Sequence, residues 1–299
     1  MSPLTREHVV WAYRLFLDRE PENDQVVEER IGSLESTSQL RLDLMASDEF
    51  RANNPGIVLD PHWVNRSGWA KADGLPVPPP DLRMLSAGRV DEGWFLESGA
   101  RAALAIEEAA ARQRRPLASL DGVLDFGCGC GRVLRHLRAA RIGRLLGRDS
   151  CAEAVDWCRA NLWFVSARRS GAEPPLDLPD AGLDLAYALS VFTRLTEPLQ
   201  NAWMRELARV LRPGGLLILS THGLRYFTEL DAEQRRRFAA GQLVVRNEEL
   251  AGSNACGAFH PEEYLRQTLA PASGFRVVEF RPEGALGNPS QDLYVLQKV

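Results

Sequence analysis

Lysine is almost missing from this 299-residue chain: Lys71 and Lys298 are the only two, and arginine carries nearly all the positive charge. With a formal net charge of −4 there is no broad cationic field for DNA or duplex RNA, so no nucleic-acid partner is expected. No apolar run approaches the roughly 20 residues that would cross a bilayer. The opening MSPLTREHVVWAY lacks the apolar stretch and small-residue cleavage site of a secretory signal, and a cytoplasmic protein with no membrane span is expected. The five cysteines, Cys128, Cys130, Cys151, Cys158 and Cys256, lack the Cys-x-x-Cys pairs of structural zinc sites and fit free thiols in a reducing compartment. Cys128, Cys130 and His136 are not expected to form a metal site.

A hydrophobic content of 45% suffices for one core of about 150–200 residues plus an appendage. Between Leu4 and Phe50 apolar residues recur at helical spacing, with breaks at Glu20-Pro21 and Ser36-Thr37-Ser38, which predicts about three short helices in an N-terminal module over residues 1–55. Asn53-Asn54-Pro55-Gly56 is a turn-rich boundary. Residues 56–118 read as a linker and cap helix: Leu75-Pro76-Val77-Pro78-Pro79-Pro80 favours an extended path, and Phe95 to Arg115 a firm helix that stops before Pro116. From 119 to 299, short apolar runs alternate with helical patterns, the signature of βαβ units. The reading is an α/β fold, a doubly wound and mostly parallel sheet with an N-terminal helical extension. A lid-like insertion spans about 224–273, far longer than the usual connection.

The string Val123-Leu124-Asp125-Phe126-Gly127-Cys128-Gly129-Cys130-Gly131-Arg132 puts glycine at every second position where a strand turns into a helix, so the backbone can turn sharply and a ligand can approach closely. Asp149 closes the next strand in Leu145-Leu146-Gly147-Arg148-Asp149-Ser150, roughly 20 residues on, where a pair of ribose hydroxyls would be gripped. Together they imply a nucleoside-bearing cofactor. The Gly-x-Gly-x-x-Gly pyrophosphate spacing is absent, and an acid two residues before the first glycine suits a cation, which favours S-adenosylmethionine over a nicotinamide dinucleotide.

These strings resemble the first motif and second strand of class I S-adenosylmethionine-dependent methyltransferases. Residues 179–192, ending Ala188-Leu189-Ser190-Val191-Phe192, resemble the family's fourth strand, and Leu211-Arg212-Pro213-Gly214-Gly215-Leu216 its turn into the fifth. The resemblance spans residues 120–222 and implies a seven-stranded sheet, S-adenosyl-L-methionine as cofactor and S-adenosyl-L-homocysteine as product. It further implies that Asp125, Phe126 and the backbone of Gly127, Cys128, Gly129 and Gly131 face the methionine portion and that Asp149 and Ser150 face the ribose. Leu189, Ser190 and Phe192 should line the methionine side. Ser170 falls near adenine, but Arg168-Arg169-Ser170-Gly171 offers neither the Asp nor the Asn that many relatives carry there.

Displacement at a sulfonium disperses charge, so the protein has mainly to align acceptor, methyl and sulfur, while a hydroxyl acceptor also needs a base. Ligands of open α/β sheets sit beyond the carboxyl ends of the strands. That rule makes His222, after the fifth strand, the first candidate base, with His260 the second. Trp94, Arg194 and Tyr264 are the candidate substrate contacts, Arg194 standing where related sequences often carry histidine and suited to an anionic group. The turn Gly287-Asn288-Pro289-Ser290-Gln291-Asp292 is a further place from which polar residues reach the acceptor. Ala12 to Pro21 and Ser47 to Phe50 resemble a helical module of some bacterial cell-surface and polysaccharide-related proteins, which turns the expectation toward a small-molecule or saccharide acceptor methylated at oxygen; a homodimer through this module is the alternative. Competing readings are a protein or RNA methyltransferase, a cofactor-binding scaffold or regulator without turnover, and a nicotinamide-dependent oxidoreductase. The absence of an Asn/Asp-Pro-Pro-Tyr/Phe tetrapeptide after the fourth strand speaks against planar-nitrogen acceptors.

Overall fold

The computed structural model describes residues 4–34, 37–53, 73–288 and 290–299, arranged in two compact units, Met1–Ala72 and Asp73–Val299. Most of the expected boundary at Asn53–Gly56, the segment up to Ala72, and Pro289 lie outside the described residues.

In the first unit, α1 (Arg6–Leu17) starts at Thr5, whose side chain accepts the His8 N–H while the His8 ring accepts the Thr5 N–H, a reciprocal cap. Asn23 caps α2 (Asp24–Ser33) through the Val26 N–H. Then come α3 (Thr37–Ala46) and a fourth short helix, α4 (Asp48–Asn53), where about three were expected. The Ser47 hydroxyl explains the extra start: it accepts the Phe50 N–H at 3.1 Å and reopens the helix after one broken residue. Val9, Tyr13, Leu17, Val27, Leu40 and Leu44 form the unit's core.

The second unit is organised by a seven-stranded sheet of order β3-β2-β1-β4-β5-β9-β8. Its strands are β1 (Gly122–Phe126), β2 (Arg144–Asp149), β3 (Val165–Arg169), β4 (Leu183–Ala188), β5 (Leu211–Thr221), β8 (Phe275–Arg281) and β9 (Asp292–Lys298). Only β9 runs antiparallel to its neighbours. β1 and β4 are buried along their whole length, as expected of central strands covered on both faces. This is the doubly wound, mostly parallel seven-stranded architecture that the sequence reading expects.

Two features depart from the sequence reading. The proline stretch ends in a helix, α5 (Pro80–Ala87), because Pro80 occupies the first helical position, where its fixed φ and missing N–H cost nothing. The edge strand β3 was not foreseen. Its burial alternates at first, with Val165 and Ala167 inward, too little apolar signal to stand out. Beyond α5, α6 (Glu92–Arg112) begins at the Asp91 cap and buries Ala102, Ile106 and Ala109 in the same core as Val123 and Leu185. The remaining main helices are α7 (Ala152–Asn161) and α8 (Glu197–Val210), the latter shielding the opposite core with Trp203, Met204 and Leu207. The insertion after β5 contains α9 (Ala232–Ala239), a small hairpin of β6 (Val244–Arg246) and β7 (Gly257–Phe259), and the single turn α10 (Glu262–Tyr264). His222 pairs with Phe259 and its carbonyl accepts the His260 N–H at 2.8 Å, so the hairpin is pinned to the end of β5. No helix among the described residues is long and apolar enough to cross a membrane.

Candidate functional site

Strand order reverses between β1 and β4, and the crevice beyond their carboxyl ends opens into a cavity of about 840 Å³. That lies in the range of roughly 300–1,000 Å³ typical of small-molecule sites.

One side is built from backbone. The N–H groups of Gly127 and Cys128 both donate to the Arg148 carbonyl, at 2.8 and 3.1 Å, folding the loop against β2. Gly127 has φ +80°, and a Cβ there would stand 2.3 Å from Val191 Cγ2; Gly131 has φ +79° with a Cβ position 2.3 Å from Leu162 Cδ1. Only glycine takes these conformations without strain. Asp149 accepts the Gly129 N–H on one oxygen (2.7 Å) and the Cys151 N–H on the other (2.8 Å), which leaves each oxygen with acceptor capacity toward the cavity.

Asp125 is 4% exposed and accepts a 2.9 Å hydrogen bond from Tyr187. Burial pushes its carboxyl up to about 7, despite the opposing pull of the Tyr187 bond and of the Arg132 charge. A buried acid held so far above the usual carboxylate range is a place for a cation. Arg132 is pushed down to about 10 by its own burial. Its guanidinium donates to Asn288 Oδ1 at 2.8 Å and to Ser98 Oγ at 3.2 Å, and lies 5.8 Å from the centre of the Trp94 ring.

The opposite side is built from side chains. Ser190, just past β4, has φ +58°, unusual for a residue with a Cβ. Three hydrogen bonds hold it there: Ser190 N–H donates to Ser220 Oγ (2.8 Å), Ser220 Oγ donates to Gln291 Oε1 (2.7 Å), and Gln291 Nε2 donates to Ser190 Oγ (2.9 Å). Gln291 Nε2 also stands 3.5 Å from His222 Nε2. The His222 ring packs against Tyr226 with centroids 4.2 Å apart and planes tilted by 37°, and burial lowers its pKa to about 4, so it is neutral at neutral pH.

Of the residues singled out in the sequence, Asp125, Phe126, Gly127, Cys128, Gly129 and Asp149 line the cavity, together with Ser150, Leu189, Ser190, Trp94 and Arg194. Ser170 is on its wall as well. Five others are not brought to it. Gly131 serves the turn, and Phe192 is wholly buried in the core under β4. His222 stands behind Tyr226 and Gln291, which do line the cavity. His260 is completely enclosed, bonded through Nε2 to Gln200 Oε1 at 3.0 Å with its pKa lowered to about 3 by burial, and so braces Gln200 where a base had been expected. Tyr264 donates to Glu197 at 2.8 Å and packs in the core, away from the substrate position expected for it. Arg132, Trp203 and Tyr226 line the cavity and were not foreseen. Arg132 follows the last glycine directly, and that adjacency was the available signal.

A reversed parallel sheet, a glycine loop that excludes Cβ atoms and two acids at successive strand ends define a protein for a cationic nucleoside cofactor. A family model described as "Methyltransferase domain" matches residues 123–215. A protein of Mycolicibacterium smegmatis named "Probable S-adenosylmethionine-dependent methyltransferase" is 30% identical over 185 residues, 59% of this chain and 69% of that protein. The chain belongs to the S-adenosylmethionine-dependent methyltransferases. Malonyl-[acyl-carrier protein] O-methyltransferase of Hahella chejuensis is 30% identical over 156 residues, 47% of this chain and 53% of that one. Ribosomal protein L11 methyltransferase of Cupriavidus metallidurans is 37% identical over 100 residues, 33% and 31% of the two chains. The chain thus spans about half, or less, of the length of these last two relatives.

Proposed function

We propose that this enzyme methylates a small molecule or a saccharide, at oxygen, and that it acts in the cytoplasm. The observation that carries the reading is that the insertion closes over the glycine loop's own cavity: Tyr226, Gly252, Ser253 and Asn254 line the same space as Gly129 and Asp149. A space walled by both halves of the domain suits an acceptor that enters whole. The resemblance of the N-terminal helices to a module of polysaccharide-related proteins favours a sugar hydroxyl, with dimerisation as their other role.

S-adenosyl-L-methionine, when bound, supplies a methyl group on a positively charged sulfur. The chain's own residues divide the remaining work. Asp125 holds the cofactor's ammonium, and proximity to that cation restores the carboxylate form that burial disfavours. Asp149 takes the ribose hydroxyls, with Ser150 beside it, and Leu189 with Ser190 borders the methionine side. Trp94 closes the near wall. His222, neutral behind Gln291 and Tyr226, positions the Gln291 amide, while the Ser190–Ser220–Gln291 bonds keep acceptor and cofactor in line.

Methylation of a protein or RNA is the second reading, favoured by the relative named for ribosomal protein L11. The test is incubation with methyl-labelled S-adenosylmethionine and separate pools of sugars and small acids or phenols, of protein, and of RNA. Label in the low-mass pool is expected; label confined to protein or RNA would overturn the first reading.

A further inference from the structure

We propose that the acceptor carries an anionic oxygen group, a carboxylate or a phosphate, and that the Arg194 guanidinium binds it beside Ser190. The inference rests on the small-molecule reading above.

Three buried arginines elsewhere in this unit each make hydrogen bonds through the guanidinium, although Arg148 Nε has no partner among the described residues. Arg135 clamps Asp73 with two bonds of 2.7 and 2.9 Å, Arg83 donates to the Val90 carbonyl at 2.8 Å, and Arg148 donates to the carbonyls of Gly147 and Ser166. Arg194 lines the cavity partly buried, and its guanidinium has no hydrogen bond or ion pair among the described residues. A partly buried guanidinium on a cavity wall keeps its full set of donors free for a ligand that enters the cavity.

Its backbone is fixed at the cavity wall. Arg194 N–H donates to the Val191 carbonyl (3.0 Å), Gly252 N–H from the insertion donates to the Arg194 carbonyl (2.7 Å), and Gln200 Nε2 donates to the carbonyls of Phe192 and Leu195 on either side. The insertion that walls the cavity therefore also sets this arginine in it.

The cofactor's own carboxylate does not account for Arg194. That group lies one carbon from the ammonium assigned to Asp125, and the guanidinium whose charge acts on Asp125 is that of Arg132. Arg194 stands after β4 between Asp149, whose charge acts on it, and His222, on which its own charge acts, so it faces the space between the ribose acid and the end of β5. A planar fork of donors beside the end of β5 matches a carboxylate or phosphate geometrically as well as in charge.

The experiment is calorimetric titration of the S-adenosylhomocysteine-saturated protein with benzoate, phenyl phosphate and benzamide. At least one of the two anions should bind roughly tenfold or more tightly than benzamide, and the tighter one tells carboxylate from phosphate. Arg194→Gln should abolish the preference while S-adenosylhomocysteine affinity stays within about twofold, and Arg194→Lys should keep part of it. Equal affinity for anion and amide, absence of anion binding, or a preference that survives Arg194→Gln overturns the proposal. So does a tenfold loss of S-adenosylhomocysteine affinity in Arg194→Gln, which would give the guanidinium to the cofactor. These outcomes leave the small-molecule reading standing, whereas label confined to protein or RNA removes that reading without touching the anion preference.

Discussion

The two sides of the cavity are made of different material. The side proposed for the cofactor is main chain and two carboxylates: Gly127 and Gly129 supply room and N–H groups, and Asp125 and Asp149 sit at the ends of adjacent parallel strands. The side proposed for the acceptor is lined by long side chains from three separate places, Arg194 after β4, Tyr226 in the insertion and Gln291 before β9. A site built from backbone accepts almost no substitution, because its geometry is the fold's geometry. Side chains on connections can change one at a time without disturbing the sheet, which is how one cofactor-binding frame serves many acceptors.

The contrast sets an order of expected effects. Gly127→Ala should be the most damaging: its Cβ would meet Val191 Cγ2 at 2.3 Å in a left-handed conformation, and S-adenosylhomocysteine affinity should fall on the order of 100-fold, read by titration alongside thermal unfolding. An affinity within a few-fold of the parent would mean the loop can relax. Asp125→Asn should follow. Because folding raises this carboxyl from 3.8 to about 7, the cofactor-free protein loses stability as pH rises from about 4 through 7, and the amide removes that slope. At pH 8 the variant should be more stable than the parent by at most about 4 kcal/mol and yet bind S-adenosylhomocysteine at least roughly tenfold more weakly. Chemical denaturation at pH 5 and 8 reads the first effect, and parallel slopes in the two proteins would refute the assignment.

Smaller effects belong to the acceptor side. Gln291→Leu removes the bonds of Gln291 to Ser220 and Ser190, leaving only the direct Ser190 N–H to Ser220 Oγ bond, and should lower turnover about 10-fold or more while cofactor affinity changes little. An equal loss in both would place Gln291 with the cofactor machinery. The smallest change should come from pH on His222: with its pKa lowered to about 4, the ring stays neutral from pH 6 to 9, so turnover should be flat there and fall only as the ring protonates near pH 4. A rise in turnover across pH 6 to 7 would show an imidazole of ordinary basicity.

What could be read in the chain follows the same division. Asp125, the glycine loop and Asp149 are legible because a backbone constraint appears as a residue type at a fixed spacing. β3 is not, since Val165-Ser166-Ala167-Arg168-Arg169 lies at the sheet edge with little apolar content. The β6–β7 hairpin escapes notice because each strand is only three residues long. His260 heads a helical turn, as its spacing suggests, but its complete burial against Gln200 depends on α8 packing over the insertion. Tyr264 follows the same logic through Glu197. Arg132 becomes a cavity residue only when α6 and the turn at Asn288 close around its guanidinium, a tertiary event with no local pattern.

The separation of the two sides is tested most directly by calorimetric titration of S-adenosylhomocysteine into the parent protein, Asp149→Ala and His222→Ala. Micromolar-range binding to the parent, at least tenfold weaker binding to Asp149→Ala and unchanged binding to His222→Ala are predicted. The same loss of affinity in both variants would contradict it.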